Sequence, residues 1–170
     1  MSRPSPLGRY DDRTGTENER IFEVRLLDAP VQVLIAARRH HDEVMHEFSL
    51  LAVNAALPAQ TTPSRLTELV ETLGQRYGAV ARRPDAEVDA AARRGAETVD
   101  LTYQVKAHVV GAADRLEALM AEADEFCRRE QLLTLPRPPL LVEFAHWYLD
   151  EFRRQIAGCA PTPWSGPLAP

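Results

Sequence analysis

Only two stretches of this chain alternate cleanly at the strand period, and that scarcity constrains its fold more than any other feature. In the first, Phe22, Val24 and Leu26 fall on one side while Glu23 and Arg25 fall on the other. In the second, Val99, Leu101, Tyr103 and Val105 oppose Thr98, Asp100, Thr102 and Gln104. Successive side chains of a strand point to opposite faces, so each stretch predicts a strand with one buried face. A short run, Leu132-Leu133-Thr134-Leu135, fits either a third strand or a buried loop. A sheet this small leaves helices to supply most of the core.

Helical stripes fill the remainder. Asp28 is placed to cap a first helix with Pro30 in its opening turn, and Leu34, Ala37, His41, Val44, Phe48, Leu51 and Ala55 recur at the three-four spacing. Thr62-Pro63 opens a second, with Leu66, Leu69, Val70, Leu73 and Tyr77 on one face. Asp85 caps a short third through Val88, Ala91 and Ala92, closed by Gly95 in the C′ position. Val109, Ala113, Leu116, Met120, Ala123 and Cys127 mark a long fourth; a fifth runs from Leu140 to about Ile156 behind Pro136, Pro138 and Pro139. Residues 22–54 match 99–130 in layout, each a strand, a short corner and a long helix, which makes a candidate βα pseudo-repeat. The expected architecture is α+β: a helix-rich two-layer domain of about five helices over a two- or three-stranded sheet. A helical bundle carrying a hairpin-like strand pair is the competing arrangement.

Prolines and glycines set the expected boundaries. Residues 1–19 lack periodicity and read as a flexible head; residues 158–170 hold four prolines and read as a flexible tail. A single domain over 20–157 remains. With 45% hydrophobic residues in 170, it has enough apolar mass for a core.

Charge excludes several functions. The net charge is −5, and 19 of the 20 basic residues are Arg, Lys106 being the one Lys. Nucleic-acid binding draws its affinity from neutralised phosphates, but here the basic residues are scattered as doublets: Arg38-Arg39, Arg82-Arg83, Arg93-Arg94, Arg128-Arg129 and Arg153-Arg154. Nearby carboxylates suit solvated helix faces laced with ion pairs. A doublet can instead grip a partner's carboxylate or phosphate through the guanidinium fork. No apolar run approaches the roughly 20 residues of a membrane helix, and the first residues lack a secretory signal's apolar core. A cytoplasmic setting is therefore expected, without membrane or nucleic-acid partners.

Catalytic signatures are sparse. Cys127 and Cys159 stand apart, outside any zinc spacing. There is no nucleophile elbow, no phosphate-cradling glycine motif, and lysine chemistry would rest on Lys106 alone. Two E-x-x-H tetrads, Glu43 to His46 and Glu143 to His146, match the di-iron bundle pattern, with Glu68, Glu71, Glu117 or Glu122 as nominal further ligands. At about 100° per residue, however, both tetrads face away from the apolar stripes on which core ligands must lie. His40, Glu43 and Glu47 share a polar stripe that suits a surface cation or plain solvation. No cofactor is expected. His41 falls within the apolar stripe, as a core histidine or as a ligand or pH-sensitive group in a pocket.

The last helix carries Leu140, Leu141, Val142, Phe144, Trp147, Tyr148, Leu149, Phe152 and Ile156, more than half its circumference. Such a helix is either central in the fold or partly docked on a partner. Interface hot spots favour aromatics and Arg, so Trp147, Tyr148, Arg153 and Arg154 are the candidate contacts, with Trp164 of the tail beside them.

Two segments carry a resemblance. One is 33–54 with its HHDEVMHEFSLLAVN core; the other is 98–155, with TVDLTYQV, EADEFCRREQLLTL and FAHWYLDEFRRQ. Together they resemble an uncharacterised family of actinobacterial-type proteins found beside anti-sigma-factor and antagonist partner-switching components. The resemblance supplies no catalytic residues and implies a cytoplasmic regulatory setting. The expected function is that of a non-enzymatic interaction protein, an accessory of a stress-response partner switch working through a protein partner or a second copy. The alternative is a small-molecule sensor or enzyme with a pocket near His41 and Asp100. A regulator that contacts DNA directly fits the negative charge worst.

Overall fold

β1 (Ile21–Pro30) and β2 (Thr98–Lys106) pair antiparallel, with Val24 opposite Tyr103 and Leu26 opposite Leu101. They are the two strands of a computed structural model that describes residues 20–55 and 84–170. Four helices accompany them among the described residues: α1 (Val31–Ala55), α2 (Pro84–Arg93), α3 (Val109–Arg128) and α4 (Pro139–Ile156). The chain is α+β. The alternation seen in the sequence sorts the two faces of the sheet. Val24, Leu26, Leu101, Tyr103 and Val105 are buried beneath helices, whereas Glu23, Arg25, Thr102 and Gln104 face solvent. The head at 1–19 and the helix expected over Thr62 to Tyr77 lie outside the described residues.

β1 runs longer than its alternation because a bulge resets it. Between Leu26 and Ala29 the register slips, with Asp28 in the left-handed region at φ 53°. Asp tolerates that conformation better than most residues, and its N–H donates to Asp100 Oδ1 at 2.9 Å. Asp28 is therefore a bulge residue rather than a helix cap. Pro30 ends the strand, and Val31 opens α1 with its N–H donating to Glu97 O at 3.0 Å.

Leu132 to Leu135, which fits either a third strand or a buried loop, is a loop. Residues 132–135 bend, with Leu132 buried while Leu133 and Leu135 are 95% and 78% exposed. Among the described residues the sheet has β1 and β2 alone, and the Leu133 and Thr134 amides go to a side chain of α1 instead.

Three apolar clusters hold the layers together. Under the sheet, Val31, Val88, Ala91 and Phe152 meet the buried strand residues. Between α1 and α3, Val44 and Phe48 meet Ala123, Cys127 and Leu132. Around the start of α1, Val33 meets Leu141, Phe144 and Trp164. Each buried Val, Leu or Phe among them contributes about 1.5–3 kcal/mol by leaving water. α4 enters the first and third clusters, which is why its apolar surface is so wide. Its rings run as a chain of tilted and edge contacts: Phe152 to Tyr103 at 5.1 Å, Phe144 to Trp164 at 5.5 Å, and Trp147 to Trp164 at 5.3 Å.

The proline-rich tail is docked rather than loose. Proline has no N–H, so only the intervening residues can donate. Thr162 N–H donates to Glu151 Oε2 at 3.0 Å, and Trp164 N–H to Leu27 O at 3.0 Å. The Trp164 ring is buried, its Nε1 donates to Pro167 O, and Gly166 lies so close that a Cβ there would run into the indole. A burial pattern of one large aromatic among prolines has no period, so the sequence hid it.

The C-terminal ends of α2 and α3 close alike, with different residues in the left-handed position. Ala96 N–H reaches Ala91 O and Gly95 N–H reaches Ala92 O, with Gly95 at φ 67°, a Schellman cap with glycine at C′. α3 closes in the same way through Gln131 N–H to Phe126 O and Glu130 N–H to Cys127 O, but its left-handed residue is Glu130 at φ 56°. A Cβ in that conformation costs about 1 kcal/mol. Glu130→Gly is therefore expected to stabilise the protein by about 1 kcal/mol, read as a raised urea midpoint at unchanged slope.

Candidate interaction surface

The residues that the sequence offered as contacts are engaged inside the molecule. Trp147 is half-buried and donates through Nε1 to Thr162 O at 3.2 Å. Tyr148 donates its hydroxyl to Tyr103 Oη at 2.7 Å, with the rings edge to face at 6.0 Å. Burial pushes the Tyr148 phenol up to about 12 and holds that of Tyr103 higher still. Arg153 reaches α3, with Nε on Asp114 Oδ1 at 2.8 Å and Nη2 on Glu117. Arg154 Nη1 meets Glu151 Oε1 and Thr162 Oγ1, both at 2.6 Å. α4 is thus central in the fold, and these four side chains serve as internal ties.

Glu151 organises those ties. It is 1% exposed and accepts from Arg154, from Gln155 Nε2 at 2.8 Å and from Thr162 N–H. Gln155 in turn brackets β1, accepting from Arg25 N–H at 2.9 Å and donating to Arg25 O at 2.6 Å. One carboxylate therefore links helix, tail and strand edge.

His41 does not sit in the core. It is exposed on α1, although crowding of the ring still desolvates it and lowers its pKa against the opposing pull of Asp42. The stripe fails there because α1 changes neighbours along its length, from α4 and the tail at Val33 to α3 at Val44 and Phe48. His40 is the more enclosed histidine. Burial lowers its pKa, with Asp124 pulling it up and Arg137 pushing it down.

Beside these residues an open groove of 420 Å³ is lined by Ile35, Arg38, Arg39, Asp42, Glu43 and His46. Neither His41 nor Asp100 lines it. Its arginines are paired, Arg38 to Asp85 and Asp89 and Arg39 to Glu43. Glu43 and His46 of the first tetrad are exposed; Glu143 is exposed too, and His146 Nε2 lies 3.3 Å from Glu117 Oε1. Among the described residues, no three His, Cys, Asp or Glu side chains converge as a metal site.

The most distinctive surface is the loop between α3 and α4, which is anchored at three points. Leu132 inserts into the α1–α3 cluster. Glu47 of α1 accepts from the backbone N–H of Leu133, and from the N–H and hydroxyl of Thr134 at 2.8 and 2.7 Å. Arg137 forms a buried pair with Asp124, with Nε and Nη2 on Oδ2 at 2.8 and 2.7 Å and its own N–H on Oδ1 at 2.9 Å. Between the anchors, Leu133 and Leu135 project into solvent, and Leu50 on α1 is 52% exposed. Alternation in the sequence marked this run as β-like; nothing local shows that a carboxylate 86 residues earlier takes its amides.

Comparison with protein-family profiles, with curated proteins and with solved structures finds no match to this chain. Among the described residues, no helix is long and apolar enough to cross a membrane.

Two outcomes follow from these ties. Glu151→Ala takes the shared acceptor from Arg154, Gln155 and the Thr162 amide and is expected to cost about 2 kcal/mol, with tryptophan emission shifting to the red as Trp164 is released. For Glu47, desolvation raises the carboxyl pKa, but the bonds from Leu133 and Thr134 outweigh it and hold the value below the ordinary carboxylate range. A depressed folded pKa gives stability that is full above the unfolded value and lost as pH falls through the folded one. The amide proton shifts of Leu133 and Thr134 should titrate together, with a midpoint below that of a free glutamate, and Glu47→Gln should abolish the transition.

Proposed function

We propose that this chain is a non-enzymatic protein-interaction protein that docks a partner on the leucines of the α3–α4 loop. The observation that carries this reading is the near-complete exposure of Leu133 and Leu135 on a loop fixed by Glu47, Leu132 and the Asp124–Arg137 pair. Ordering a loop costs about 1–2 kcal/mol per residue in conformational entropy. A loop ordered before binding has already met that cost, so its apolar contacts convert more fully into affinity. The partner's complement is an apolar cleft, because the side chains the loop projects furthest are leucines.

The resemblance to components found beside sigma-factor partner switches gives this docking a regulatory role in the cytoplasm, as an accessory that sequesters or positions a switch protein. The βα pseudo-repeat belongs to the same reading. What supports it is that β1 passes directly into α1, while β2 reaches α3 after two residues, across an antiparallel pair. With the helix expected over Thr62 to Tyr77, the domain would carry five helices.

Affinity capture from the source cytosol with the tagged full chain, followed by mass spectrometry, tests the docking surface. The double variant Leu133→Asp, Leu135→Asp is expected to lose the captured partner while its thermal midpoint stays close to that of the parent, since exposed substitutions shift stability by only about 0.5 kcal/mol. Equal capture by both proteins, or no specific partner for either, overturns the reading.

A further inference from the structure

The backbone hydrogen bonds of the sheet define a second surface, separate from the leucine loop. Arg25 exchanges both its N–H and its C=O with the Gln155 side chain, so its polar groups point away from β2. Its cross-strand partner is Thr102. In an antiparallel ladder, opposite residues either both face the partner strand or both face away. The N–H and C=O of Thr102 therefore point out of the sheet on the far side of β2, and the period of two sends those of Asp100, Gln104 and Lys106 the same way.

The two edges of the sheet differ. β1 is blocked, by Gln155 at Arg25 and by the Trp164 N–H at Leu27 O. On β2, nothing among the described residues bonds to the outward backbone groups of Thr102 and Gln104. The strand also carries none of the proline or bulge that ordinarily blunts an edge. A row of outward N–H and C=O groups along a regular strand is a template for another strand.

The sequence of β2 fits one occupant in particular. We propose that β2 is a dimerisation strand, pairing antiparallel with β2 of a second copy about a twofold axis at Tyr103 and making one four-stranded sheet. In that register Thr102 lies opposite Gln104 of the other copy, Leu101 opposite Val105, and Asp100 opposite Lys106. Outward-facing residues meet outward-facing residues, as the ladder requires, and opposite charges meet at both ends. Moving the axis to Thr102 sets Asp100 against Gln104; moving it to Gln104 sets Asp100 against His108. Only the Tyr103 axis brings the two charges together. The interface is isologous and self-complementary, with about eight new backbone hydrogen bonds. Buried faces stay aligned, so the helices of both copies lie on one side of the joined sheet.

Sedimentation of the full chain tests this, with far-UV circular dichroism as the control for folding. The parent is expected to be a dimer. Thr102→Pro removes an N–H that points away from β1, and should give a folded monomer. The double variant Thr102→Lys, Gln104→Lys sets like charges across the axis and should weaken the dimer by about tenfold or more. Thr102→Glu with Gln104→Lys places opposite charges across the same axis and should restore the dimer. Should Thr102→Pro fail to fold, the two charge variants decide alone. A parent that stays monomeric overturns the proposal, whether the Thr102 and Gln104 amides exchange freely or are protected by another part of the chain. A dimer untouched by the charge variants overturns it as well. Because Leu133 and Leu135 take no part in this pairing, the dimer can fail while partner capture succeeds, and the reverse.

Discussion

The fold depends on the buried carboxylate of Glu151. Taking an ionised carboxylate out of water costs several kcal/mol unless donors replace its hydration, and here a guanidinium, a side-chain amide and a backbone N–H do so. Those three donors come from the helix itself and from the tail, and Gln155 carries the tie on to β1. Trp164 can then seat among Val33, Leu141 and Phe144, covering apolar surface on α4 and α1. Without that carboxylate the Thr162 N–H loses its acceptor, and the polar ties left between the tail and the described domain are the Trp164 N–H, the Trp147 indole and the Arg154 bond to the Thr162 hydroxyl. Residues 158–170 are consequently a structural element of the domain, made from a composition that ordinarily signals a linker.

The arginine doublets follow the same economy of partners. Neighbouring residues on a helix point about 100° apart, so the two members of a doublet can take different partners. Arg38 turns to Asp85 and Asp89 on α2, while Arg39 stays on α1 with Glu43. Arg153 ties α4 to α3, and Arg154 holds Glu151. Arg128 and Arg129 share Glu125 as local ion pairs on an exposed face. These arginines, which invite a phosphate or a partner's acid when met as a sequence, pair with the chain's own acids: Arg38 and Arg153 bridge helices, and Arg39, Arg128, Arg129 and Arg154 stay within one. What the fold leaves outward is short-ranged by comparison: leucine side chains and the backbone groups of a strand.

Features governed by local periodicity were legible in the sequence, and those governed by remote partners were not. The alternation at 22–26 and 99–105 located both strands and their buried faces, and the φ > 0 requirement at a helix end located Gly95. The stripe on α1 gave Val44 and Phe48 correctly but also gave His41, because a helix of 25 residues, about 37 Å at 1.5 Å per residue, outruns any single neighbour. The wide apolar surface of α4 left two outcomes open, and the third cluster, completed by Trp164 from the tail, decides for a central helix. Glu47 and Asp124 carried no sign of their roles. Each lies beside an apolar stripe, where an acid reads as solvated, and each takes its donors from a loop far along the chain or beyond a turn.

The two outward surfaces argued above, the leucine loop and the β2 edge, recognise partners mainly by shape and by backbone. The leucine loop is rigid because Glu47 holds its amides, so its selectivity comes from fit rather than from steering. The β2 edge is a row of amides whose register is set by side chains that alternate between threonine, glutamine and one charge at each end. Long-range attraction speeds association with many acidic or basic surfaces alike; contacts made by leucines and backbone groups gain less from it. Salt should therefore matter less to the leucine loop than to the β2 edge, whose register rests on Asp100 and Lys106, whereas a single proline in the strand or a single charge in the loop should matter a great deal. That contrast follows from where the arginines went, and it ties the binding behaviour of the surface to the ion pairs that close the fold.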